Sequence, residues 1–180
     1  MERGRQEKIG TDPIFRKWGL SLFLPFLLLS LPAWGFDVNG VTLGADEAAV
    51  RKAFPSVRCR ELEWKTKAAE RRCDDAKIVF GGAPARITLY LKADRVQAFD
   101  VRLDERDLER VAAFLKQRYG KPLAETREKI ERREGDVREI YKVRWEKGEQ
   151  RALLTSQLKR RRVDLSVWQG NFEDEIYRVR

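Results

Sequence analysis

The 180-residue sequence contains no histidine, and that absence alone removes several chemistries. A histidine-based nucleophilic triad is excluded, and so is any metal site built on imidazole. Cysteine is scarce, with only Cys59 and Cys73, and two thiolates at this separation make a poor zinc site without two further soft ligands. No glycine-rich phosphate loop or dinucleotide fingerprint occurs. The sequence therefore predicts neither a cofactor nor a metal. Long apolar runs are missing too. The longest, Leu20–Leu31, has 12 residues, short of the ~20 needed to cross a bilayer.

That short run has the length of the apolar core of a secretory signal. Arg3, Arg5, Lys8, Arg16 and Lys17 precede it, Pro32 breaks it, and Ala33-Trp34-Gly35 supplies the small residues a signal peptidase needs. The reading is a signal peptide over residues 1–35, cleaved before Phe36, and a single exported domain over 36–180, periplasmic or secreted. The alternative is an N-terminal membrane anchor, because the charge-free stretch Trp18–Phe36 reaches 19 residues. No cysteine follows the cleavage point, which argues against a lipid anchor. In an oxidising compartment Cys59 and Cys73 most simply form one disulfide.

The leader carries five of the 38 basic residues and three of the 29 acidic ones, which leaves 33 against 26 and a net charge of +7. Such a balance favours anionic surfaces such as lipid head groups, polysaccharide or acidic proteins. The plainer reading of the same excess is solubility, since both signs are interspersed.

The hydropathy pattern predicts an α+β domain, an antiparallel sheet with two helices packed on one face. Asn39-Gly40 reads as a turn in a short lead-in, and a first helix covers about Ala45–Phe54. Val57–Trp64 and Arg71–Phe80 read as strands; pairing Cys59 with Cys73 sets Glu61 opposite Arg71, a favourable cross-strand pair. Arg86–Lys92 and Val96–Leu103 alternate cleanly. A three-residue loop, Ala93-Asp94-Arg95, would align Leu89 with Phe99 and Ile87 with Val101, whereas a two-residue loop would put Ile87 against Asp100. The second helix is Glu105–Tyr119, with Asp104 as its cap and Gly120 ending it. Leu123–Asp136 has a strand-like start and a turn at Gly135-Asp136. Strands then follow through Val137–Trp145, Ala152–Leu158 and Val163–Val167, with turns at Lys147-Gly148 and Lys159–Arg162. Residues 170–180 carry little pattern and are expected to drape over the sheet. The order suggests two helix-then-strands halves.

Leu43-Gly44, Val50 and the Cys59/Cys73 pair resemble one half of the secreted β-lactamase inhibitor protein family. A related layout occurs in the small lipoprotein of the outer-membrane β-barrel assembly machinery. The Tyr119-Gly120-Lys121-Pro122 helix end is similar to that of many small exported bacterial proteins of unknown function. Ala45 and Asp46 stand where those two families offer a threonine or serine cap, no lipidation cysteine is present, and the second half lacks a cysteine pair. The resemblance implies a layout and protein binding in the envelope, and it transfers no functional residue.

Candidate contact residues follow from the pattern. Lys159, Arg160, Arg161 and Arg162 form a cationic turn suited to clamping phosphates or a membrane surface. Trp168 falls opposite Val163, Leu165 and Val167, on the face of Asp164 and Ser166, and on an open face it would be a contact residue. Tyr90 and Thr88 occupy the polar side of their strand. Asp74, Asp75, Asp100 and Glu139 are the carboxylates available to an acid/base pair. Ser156 and Lys159 are close in sequence but lie on a meander turn. The leading expectation is a non-enzymatic domain that binds another envelope protein through a helix-free sheet face. The alternatives are a basic envelope protein on anionic lipid or polysaccharide, and a carboxylate-based hydrolase. The compartment argues against nucleic acid.

Overall fold

A computed structural model describes residues 35–132, 136–157, 161–176 and 178. The chain enters through a small hairpin, β1 (Asp37–Val38) and β2 (Val41–Thr42), turning at Asn39-Gly40. Both turn residues have positive φ, 49° and 86°, the requirement of a tight hairpin turn that Asn-Gly meets at low cost. Helix α1 (Glu47–Ala53) follows, one turn shorter than its pattern suggests. Asp46 caps it, its carboxylate accepting from Ala49 N at 2.8 Å.

Strands β3 (Arg58–Glu61), β4 (Arg71–Phe80), β5 (Ala83–Lys92) and β6 (Arg95–Asp104) form the first antiparallel meander. The Cys59–Cys73 disulfide is present, and the register sets Glu61 opposite Arg71. Leu89 faces Phe99 and Ile87 faces Val101 as burial demands, but the loop differs. Ala93 and Asp94 make a two-residue turn with φ of 47° and 59°, and a bulge beyond Tyr90 restores the register. The expected three-residue loop and this turn-plus-bulge solve one problem, keeping the apolar row inward.

Asp104 caps a short 3-10 turn (Glu105–Asp107) by accepting from Arg106 N, and helix α2 (Leu108–Tyr119) continues from it. The second meander is β7 (Ala124–Arg132), β8 (Asp136–Lys147), β9 (Gln150–Gln157) and β10 (Arg162–Gln169). The expected turn at Gly135-Asp136 lies partly outside the described residues; Asp136 itself already belongs to β8. A one-turn helix, α3 (Phe172–Glu175), closes the described chain.

The two meanders join edge to edge into one eight-stranded antiparallel sheet, ordered β3-β4-β5-β6-β10-β9-β8-β7. The seam is β6 against β10, with Val101 opposite Leu165. Each half is a helix followed by four strands. Inward-pointing Ile87, Leu89, Phe99, Val101, Leu165, Leu154, Val143 and Trp145 form one core with Val50 of α1, Phe54 at its C-terminal cap, and Val111 and Leu115 of α2. Tyr119 fastens α2 to the lead-in hairpin by donating to Asp37 O at 2.8 Å, and Trp145 Nε1 donates to Gly120 O at 2.9 Å. Both long helices therefore serve the same sheet face.

Candidate functional site

The alternation that fills the core leaves the opposite row of each strand facing away from α1 and α2. Across the sheet the register aligns Arg58, Asp74, Thr88, Asp100, Ser166, Leu153 and Arg144 in one row. A neighbouring row holds Arg86, Arg102, Asp164, Thr155 and Lys142. A crevice of about 400 Å³ opens where these rows cross the seam, lined by Asp74, Arg86, Thr88, Tyr90, Asp100, Arg102, Arg162, Asp164 and Ser166.

Its polar groups are organised by the strands. Thr88 donates to Asp74 at 2.8 Å, and Arg72 Nε lies 3.1 Å from the same carboxylate. Asp164 stands between two guanidinium groups, 3.1 Å from Arg102 and 2.8 Å from Arg162. Asp100 sits deepest: burial raises its carboxyl above the ordinary carboxylate range, and the Asp164 charge pushes the same way. The Ser166 and Tyr90 hydroxyls and Arg102 only partly oppose this.

The structure places the sequence candidates unevenly. Thr88, Tyr90 and Arg162 meet in the crevice. Trp168 is on the predicted face, but at 7% exposure it lacks the open surroundings on which its contact role depended. The C-terminal segment lies on this same face, where Glu173 and Trp168 border one depression. Phe172 and Ile176 pack with Leu62, Trp64, Ala68, Ala69 and Tyr90 in a second small core on the far side of the sheet. Trp64 Nε1 donates to Ile176 O at 3.0 Å and Thr66 Oγ1 to Glu175 O at 2.7 Å. Draping of the tail over the sheet was expected; the burial of Trp168 was not. Lys159 and Arg160 lie outside the described residues. Arg161 is exposed at a turn with φ of 49°, and Arg162 is the first residue of β10.

The four carboxylates of the hydrolase reading are divided between the faces. Asp75 turns inward, 4% exposed, and accepts from Ser56 Oγ at 2.6 Å and Lys77 N at 2.9 Å. Glu139 lies on the side of Tyr141 and holds Arg127 at 3.6 Å. Only Asp74 and Asp100 share the open face, with the Thr88 strand between them. Ser156 is 1% exposed on the helix side of β9, so no substrate reaches its hydroxyl.

Metal ligation has one candidate among the described residues. A Glu47 carboxylate oxygen lies within 4.8 Å of the Cys59 and Cys73 sulfurs. Those sulfurs are joined to each other, and Glu47 already holds Arg51 and Arg71, each at 2.6 Å. The group is a disulfide flanked by an ion-pair cluster.

Sequence reasoning did not single out Arg86, Arg102, Asp164 and Ser166 as a group. Alternation marks each as polar-facing, but nothing local says that β6 pairs with β10. No protein-family model matches the chain, and neither does any curated protein or solved structure. Among the described residues no helix is long and apolar enough to cross a membrane.

Proposed function

We propose that residues 36–180 form an exported, non-enzymatic domain that docks another protein of the bacterial envelope through the sheet face opposite α1 and α2. The observation that carries this reading is the asymmetry of the sheet. One face is sealed by both long helices, while the other, across eight strands, is covered among the described residues only at one end, by the C-terminal segment. Strand-borne side chains of this kind are held rigid before a partner arrives, which lowers the ordering cost of association. Export is supported by the Leu20–Leu31 run with its basic flank and by the disulfide, a bond that persists in oxidising compartments.

A photo-crosslinking amino acid placed in the full chain, in the envelope of its own cell, tests this. Substitution at Thr126 or Thr155 samples the bare face, and at Gln117 the exposed side of α2. A discrete adduct from the two sheet positions and none from Gln117 is expected. Adducts from Gln117 alone, or from no position, would overturn the reading.

A further inference from the structure

We propose that the rim of the crevice formed by Arg86, Arg102 and Arg162 is a carboxylate-recognition site, and that the partner docking on the sheet inserts an acidic segment there. The inference rests on the docking reading above and names the chemistry of its contact.

The first observation is a conflict in the ladder. Arg86 on β5 and Arg102 on β6 are directly opposite each other. Like charges so placed weaken a strand pair. Arg102 is relieved by Asp164, which Arg162 shares from β10. Arg86 is exposed and has no carboxylate within ion-pair distance among the described residues. A guanidinium fork therefore stands unpaired beside two others, on three neighbouring strands.

The second observation is the balance of the whole face. Asp74, Asp100, Asp164 and Glu146 are each held by a cation or a hydroxyl within the molecule. Arg58, Arg86 and Lys142 have no carboxylate partner among the described residues, and each lines a different depression of the face. Glu128 on β7 and Glu173, which borders the Lys142 depression, are exposed acids on this side with no ion pair among the described residues. The excess is therefore positive around Arg86 and Arg58 rather than at the β7 end; complementary potential is what steers and registers association.

The third observation selects among anions. Asp74, Asp100 and Asp164 line the same crevice. They repel a doubly charged phosphate more than a single carboxylate, which can take the outer fork of Arg86 in bidentate fashion while staying clear of them. Thr88 and Ser166 between them supply neutral hydroxyls on the same row. Side chains of aspartate or glutamate fit this arrangement.

The test uses the full chain and a fluorescent N-acetylated hexaglutamate peptide, with hexaglutamine and inorganic phosphate as comparison probes. Binding is followed by anisotropy at low ionic strength. Arg86→Gln is expected to weaken hexaglutamate binding about fivefold, or ~1 kcal/mol, the upper range for an exposed pair. Arg86→Lys, which keeps the charge and loses the fork, should fall between. Lys52→Gln on the exposed side of α1 removes the same charge elsewhere and should change nothing. Unchanged unfolding curves show that the variants are folded. Equal losses in Arg86→Gln and Lys52→Gln, phosphate competing more strongly than the peptide, or no peptide binding would each overturn the assignment. Crosslinking from Thr126 and Thr155 that persists in Arg86→Gln alongside any of those results would leave the docking reading standing. Its absence alongside hexaglutamate binding would sink the docking reading instead.

Discussion

Asp100 shows how a single position on the bare face couples folding to pH. Its carboxyl is partly buried at the seam, and the fold raises its pKa from the ordinary 3.8. The native state thus keeps a proton that the unfolded chain has lost. Wherever the native state binds more protons, stability falls as pH rises. The window begins near 3.8, the unfolded value, and ends at the raised folded value. Above it, the cost of burying the charge is fully expressed. Asp100→Asn is therefore expected to remove that slope and to gain stability at neutral pH relative to the unsubstituted chain, with no gain in strong acid. Urea unfolding of both proteins at several pH values checks this, and a variant less stable than the parent at pH 7 would contradict it.

Among elements, the β3–β4 pair depends most on a covalent link. β3 is only four residues long and lies at the sheet edge, with exposed or half-buried side chains throughout. Little apolar burial holds it, so the Cys59–Cys73 bridge supplies what packing does not. Closing a 15-residue loop is worth ~3 kcal/mol in the chain-entropy model. Cys59→Ser should lose about that much in oxidising buffer and nothing in reducing buffer, read as a shift in urea midpoint at constant slope. Equal losses in both buffers would mean that the side chain, not the bridge, matters. The neighbouring loop, residues 62–70, depends on α3. Ile176 is 4% exposed and packs with Ala68 and Ala69. Ile176→Ala should cost ~2 kcal/mol locally and speed amide exchange in residues 62–70, while β5 and β6 keep their protection. Protection lost uniformly across the sheet would show instead that the small core is part of the global unfolding unit.

At the scale of the whole molecule, the way the two halves join decides what the protein offers to a partner. Each meander alone would expose the edge of its last strand. Joining β6 to β10 removes both edges and places Asp100 beside Ser166 and Arg102 beside Asp164. The crevice exists only because of that seam. The outer edges of the sheet are protected differently: β3 is short, and β7 carries charged residues along its length, both features that discourage strand addition. In the proposed docking reading, contact falls instead on the face, where Arg58, Arg86 and Lys142 have no carboxylate partner among the described residues.

Much of this was readable locally. The Cys59–Cys73 pairing follows from there being just two cysteines in a chain read as exported. The alternation of Ile87, Leu89 and Leu91 and the α2 stripe follow from periods of 2 and 3.6 that burial enforces within a few residues. Even the Leu89–Phe99 register followed from burial, although a bulge rather than a longer loop achieves it. Two features belonged to the tertiary structure alone. The β6–β10 seam joins strands that alternate like any others, so neither carries a label for its neighbour. The second small core depends on a weakly patterned tail finding a loop far away in sequence, with Thr66 and Glu175 separated by 109 positions. Local periodicity assigns a side chain to one face of a strand; only the long-range packing of other segments determines whether that face stays open to water.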